Sequence, residues 1–141
     1  MDWKQIGWLW LTAVLAWTLA AGEGVQAQSD LFDAVRSGQP ECVERLLREG
    51  ADVEARAANG VTPLILAAWL GGEEVVARLL DAGAVVDATG PGGVTALMAA
   101  AGRGHAGVVR SLLDRGASAD GRRKDGYTAL MYAAVGGHRT A

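Results

Sequence analysis

From residue 29 onward, apolar and polar positions follow one another in blocks with helical spacing. Val75, Val76, Leu79 and Leu80 stand at i, i+1, i+4 and i+5, an apolar stripe on one side of a helix that starts near Glu73 and ends at Gly83. Val108, Val109, Leu112 and Leu113 repeat the stripe, from near Ala106 to Gly116. A shorter apolar block precedes each one. In the first case it is Leu64-Ile-Leu-Ala-Ala68, whose alanines let a neighbouring helix approach closely. Gly71, Gly104 and Gly137 follow these short blocks and supply the left-handed residue that stops a helix. Ahead of them, Asn59-Gly60, Gly92-Gly93 and Asp125-Gly126 tolerate positive φ and open tight turns. Two residues after each turn stands Thr62, Thr95 or Thr128, whose hydroxyl can cap a helix. Pro63 occupies the first helical position, where its missing N–H costs nothing. The pattern predicts pairs of short helices joined by turns.

The pairs recur at a fixed shift of 33 residues. Leu31, Leu64, Leu97 and Leu130 fall in register, as do Gly38, Gly71, Gly104 and Gly137. So do the pairs Leu46-Leu47, Leu79-Leu80 and Leu112-Leu113, and Gly50-Ala51, Gly83-Ala84 and Gly116-Ala117. Such a period marks a solenoid, in which no unit buries its apolar face alone and each does so against its neighbours. The units run 29–58 as an opening unit, then 59–91, 92–124 and a truncated 125–141. The last ends at Gly136-Gly-His-Arg-Thr-Ala141, before a second helix, so the expectation is a fragment or shortened reading frame of a longer array. Val109 and Leu113 would then lose part of their cover.

These columns resemble the ankyrin repeat, which has a glycine turn, Thr-Pro-Leu-His, Ala-Ala, Gly-His, Val-Val, Leu-Leu and Gly-Ala at these offsets. The resemblance covers about Ser29 to Ala141 and implies an all-α solenoid of stacked helix-turn-helix units with short turns. Two departures stand out. Ile65, Met98 and Met131 replace the histidine of Thr-Pro-Leu-His, so the inter-turn bond it makes in the family is absent and packing must replace it. Glu54, Asp87 and Asp120 replace the asparagine near the end of the unit, where the family bonds backbone. The resemblance also implies that the Gly-His position, His105 and His138 here, is structural. It further implies that turn tips and exposed first-helix residues line a concave groove that grips a protein partner. Carried over by position, these are Arg36, Val61, Trp69, Leu70, Val94, Arg103, Tyr127 and Val135. Trp69 has Arg36 and Gly102 as column neighbours, so the repeat does not demand its size, and an exposed tryptophan beside Arg36 has the composition of an interface hot spot. The plainer reading is that Trp69 and Leu70 cover adjacent apolar surface.

The first 27 residues read differently. Lys4 precedes an uncharged run from Ile6 to Ala21, and Gly22-Glu-Gly-Val-Gln-Ala27 follows. A basic start, an apolar middle and small residues at a cleavage site form a secretory signal peptide, with cleavage expected after Ala27. Sixteen residues reach only about 24 Å as a helix, less than the roughly 30 Å of bilayer hydrocarbon. The expectation is an exported bacterial protein, periplasmic or secreted; the alternative is a membrane tether through uncleaved residues 6–21.

Composition narrows the chemistry. Thirteen basic residues against 16 acidic ones create no field to gather nucleic acid. Cys42 is the single cysteine, so no internal disulfide forms, and its column counterparts Val75 and Val108 predict a small buried core residue. His105 and His138 lie one unit apart, roughly 8–10 Å in a helical stack, too far to share a metal whose ligands sit about 2 Å away. The acidic column meets the same objection, and its members read as solvated turn residues. Arg122-Arg123-Lys124 reads as a solvated loop tip. The sequence contains no phosphate loop, Gly-x-Ser-x-Gly elbow or cysteine pair for zinc. The expectation is therefore a non-enzymatic adaptor or scaffold with no catalytic residues, cofactor or metal, and with another protein as partner. The alternative readings are a targeting module of a longer enzyme and self-association through the uncapped end.

Overall fold

A computed structural model describes residues 30–135, without the side chain of Val135; the leader, Gly137 and His138 lie outside the described residues. The elements are α1 (30–37), α2 (Pro40–Arg48), α3 (Pro63–Leu70), α4 (Glu73–Asp81), a 3-10 turn (Pro91–Gly93), α5 (Ala96–Arg103), α6 (Ala106–Asp114) and α7 (Ala129–Val135). Among the described residues the only strand-like pairing is a single bridge between Arg122 and Thr128. The fold is the all-α repeat solenoid expected from the 33-residue period.

Local chemistry sets the helix ends. Thr62 is extended (φ −86°, ψ 161°) and its Oγ1 accepts from the Ile65 N–H at 3.3 Å; Thr95 does the same for Met98 at 3.3 Å. Pro63 follows Thr62 at the first helical position. Gly71 and Gly104 end α3 and α5 in the left-handed conformation, with φ of 83° and 75°. Gly71 has a second reason to be glycine. A Cβ there would lie 2.7 Å from the His105 ring, which packs over it and donates from Nε2 to the Trp69 carbonyl at 3.1 Å.

The helices form two rows. α3 packs on α5 and α5 on α7 to make the inner row, while α2 packs on α4 and α4 on α6 to make the outer row. Between the rows runs one apolar seam including Val43, Leu64, Val76, Leu79, Met98, Val108 and Leu112, each at most 2% exposed. Burying side chains of this size contributes about 1.5–3 kcal/mol apiece. In α5 every residue from Ala96 to Ala101 is buried, because the small side chains let helices on both sides press close. Cys42 packs against this core but is only half-buried, since it sits on the flank of α2 beside fully buried Val43.

Polar links join successive units and correct one expectation. Glu54 and Asp87 are not simply solvated turn residues. Glu54 Oε1 accepts from the Val85 N–H at 2.8 Å, and Asp87 Oδ1 accepts from the Ser118 N–H at 2.9 Å, one unit further on in each case. A carboxylate here does what a side-chain amide oxygen would do, because the partner is a donor and only an acceptor is needed. Asp120 is exposed. Ile65 and Met98 are buried, as packing in place of the family histidine requires. A turn-to-turn bond nevertheless exists: the Arg56 guanidinium donates to the carbonyls of Gly60 (3.1 Å) and Thr89 (2.8 Å).

Candidate functional site

The inner row, with its turn tips, encloses a groove of about 550 Å³. Val61, Ile65, Leu66 and Trp69 line it from one unit, Val94, Met98, Ala99, Gly102 and Arg103 from the next, and Tyr132 from α7, with Asn59 and Pro91 at the tips. The surface is mostly hydrocarbon and ring carbon. Trp69 stays 46% exposed there, although the rest of α3 up to Ala68 is buried or half-buried. The Arg103 guanidinium lies over the indole, 4.4 Å from its centroid, close enough for a cation–π interaction. Gly102 leaves the space that Tyr132 uses: a Cβ at Gly102 would come within 3.2 Å of that ring.

The far wall is held by Arg123. Its guanidinium bonds the Tyr132 hydroxyl, sits 5.8 Å from that ring's centroid and pairs with Asp125 at 3.3 Å. The hydrogen bond to Tyr132 is the main reason the pKa of Arg123 moves upward. Arg123 is therefore not part of a solvated loop tip, as its sequence context suggested, while Arg122 and Lys124 remain exposed.

Four of the positions singled out from sequence, Val61, Trp69, Val94 and Arg103, meet in this groove. Leu70 is exposed but outside the lining. Tyr127 is exposed and meets Tyr132 edge to face, with centroids 6.1 Å apart, again outside the lining. Arg36 stands on α1 in an exposed pair with Asp33 at 3.4 Å. The cation on Trp69 is thus the guanidinium of Arg103 and not that of Arg36. Val135 has no described side chain. Sequence reasoning missed Leu66, Ala99 and Tyr132, which form one column at the 33-residue period. Leu66 lies three residues before Trp69 on the same helical face, and that spacing was the available signal.

Among the described residues no group of three or more His, Cys, Asp or Glu side chains converges as a metal site. His105 is committed to the Trp69 carbonyl through one ring nitrogen and to packing over Gly71. What the site offers chemically is contact area, two aromatic rings and oriented guanidinium groups. Residues 15–90 and 86–141 match the family model described as ankyrin repeats (3 copies). No curated protein matches the chain.

Proposed function

The chain belongs to the ankyrin-repeat family, and from that premise we propose that it is a non-enzymatic adaptor that grips a protein partner in the groove between α3, α5 and α7. Ankyrin repeats are protein-binding modules, generally without catalysis of their own. One observation carries the assignment of the groove. Trp69 is a large ring left 46% exposed in an apolar hollow, at a column whose other members are Arg36, Gly102 and Val135. Stacking of the units does not need it. Tryptophan and arginine together, central in a concave surface, are what binding hot spots are made of.

The test is a selection of random 12-residue displayed peptides against the whole chain, followed by affinity measurements with Trp69→Ala. Truncation at a hot spot costs about 2 kcal/mol or more. The expected outcome is that loss of affinity with an unchanged helical circular-dichroism spectrum. Peptides that bind the variant as well as the parent would remove the groove from the account.

The proposal includes export. It is supported by the uncharged run Ile6 to Ala21 and the small-x-small sequence Val25-Gln26-Ala27, and it puts the adaptor in a periplasm or outside the cell. Among the described residues no helix is long and apolar enough to cross a membrane. Sequencing the amino terminus of the mature protein decides between the two forms of the idea. A start at Gln28 supports export, whereas a membrane-bound chain that still begins at Met1 replaces it with a tether.

A further inference from the structure

Building on the groove as the binding site, we propose that its partner segment is acidic: a peptide that lays a large apolar side chain on Trp69 and brings a carboxylate to Arg103. The first support is the state of Arg103. Its guanidinium carbon lies over the indole, 4.4 Å from the centroid, a contact with the ring face that does not itself use up the five N–H donors. Arg36, Arg78, Arg115 and Arg123 each have a carboxylate within 4 Å, but Arg103 has none among the described residues. A guanidinium held over a ring and without a carboxylate of its own can receive one in two parallel bonds.

The second support is the sidedness of charge. The chain carries a net charge of −3, yet the stretches that supply the tips and inner helices of the two complete units, 55–70 and 88–103, contain Arg56 and Arg103 and no acidic residue. The last turn adds Arg122, Arg123 and Lys124 against Asp125 alone. The acids are concentrated on the outer helices and the turns that follow them, as in Glu44, Glu73, Asp81 and Asp114. The one charged residue in the groove lining is thus basic, with further cations at the neighbouring turn tips, on a molecule of net negative charge, a balance that favours negative segments there over positive ones.

The lining argues for a peptide over a nucleic-acid strand. Strands without sequence preference are held by a basic groove that follows the phosphates. Here the lining includes Val61, Ile65, Leu66 and Met98, and Arg103 is its single cation, too few to follow a run of phosphates.

The probe is the strongest synthetic 12-residue peptide from the selection against the whole chain, with each Asp or Glu exchanged in turn for Asn or Gln. Kd is read by fluorescence anisotropy at low and high salt against the parent chain, Arg103→Gln and Arg103→Lys. At least one exchange should weaken binding about tenfold, an amount within the worth of a charged hydrogen bond. The same exchange should change little in Arg103→Gln, and Arg103→Lys should keep part of the discrimination. Equal loss in the parent and in Arg103→Gln would overturn the inference, as would winning peptides that are neutral or basic. Peptides that need Trp69 but ignore the exchange would leave the groove standing and the acidic partner refuted; no peptide binding at all would end both. A dT12 oligonucleotide that displaces the peptide would assign the groove to nucleic acid instead.

Discussion

Single residues fix how the units join, and the sequence disclosed some of them better than others. The capping threonines and stop glycines were legible because each acts within its own turn: Thr62 reaches only to Ile65, and Gly71 needs only its own φ. Glu54 and Asp87 were not legible, because their donors lie 31 residues on and come within reach only once the next unit is stacked. The same reason hid Arg103 over Trp69, two residues in different units. Removing one such acceptor leaves a backbone donor without its protein partner. Asp87→Ala is expected to lower stability by about 1 kcal/mol in denaturant unfolding, with Asp87→Asn close to the parent because the amide oxygen still accepts. Equal losses in both variants would mean that charge, and not the bond to Ser118, is what Asp87 contributes.

At the scale of elements, the two rows of helices are read by different signals. The outer helices α2, α4 and α6 show their apolar stripes plainly, since one side meets the core and the other meets water. The inner helices α3 and α5 show no such side. They are buried nearly all round, and only their caps and terminal glycines mark them out. Between outer helices, Glu44 links α2 to α4: it accepts from Arg48 in its own helix and pairs with Arg78 at 3.2 Å. The hydrogen bond and charge of Arg48, then the charge of Arg78, hold its carboxyl below the ordinary value of 4.5. A lowered folded-state pKa contributes stability above that ordinary value and loses it as pH falls through the depressed one. The thermal midpoint of the parent should therefore drop more steeply below about pH 4.5 than that of Glu44→Gln. The pair is exposed to solvent, so the difference should be small and should shrink further in high salt. Identical slopes in the two proteins would show that the contact contributes nothing measurable.

The architecture of the whole molecule was legible because it is one instruction repeated every 33 residues, and a repeated pattern of turn, cap, stripe and stop stands out against any single deviation. The groove was legible only in part. Column positions identify which side chains face inward, but its depth depends on Gly102 leaving room for Tyr132 and on Arg123 folding back, both of which arise only once the units are stacked. The lack of acidic residues in α3 and α5 also stands out only when the two rows are told apart. Six side-chain links between successive units span 31 to 36 residues, from Glu54 to Val85 at the short end and Trp69 to His105 at the long end. Loop-closure entropy grows only as about (3/2)RT ln n, so each of these junctions closes a loop of nearly the same modest cost. Ordering can begin at any neighbouring pair of hairpins and spread outward like a zip, and a longer array of the same kind would fold in more steps without any one of them becoming harder.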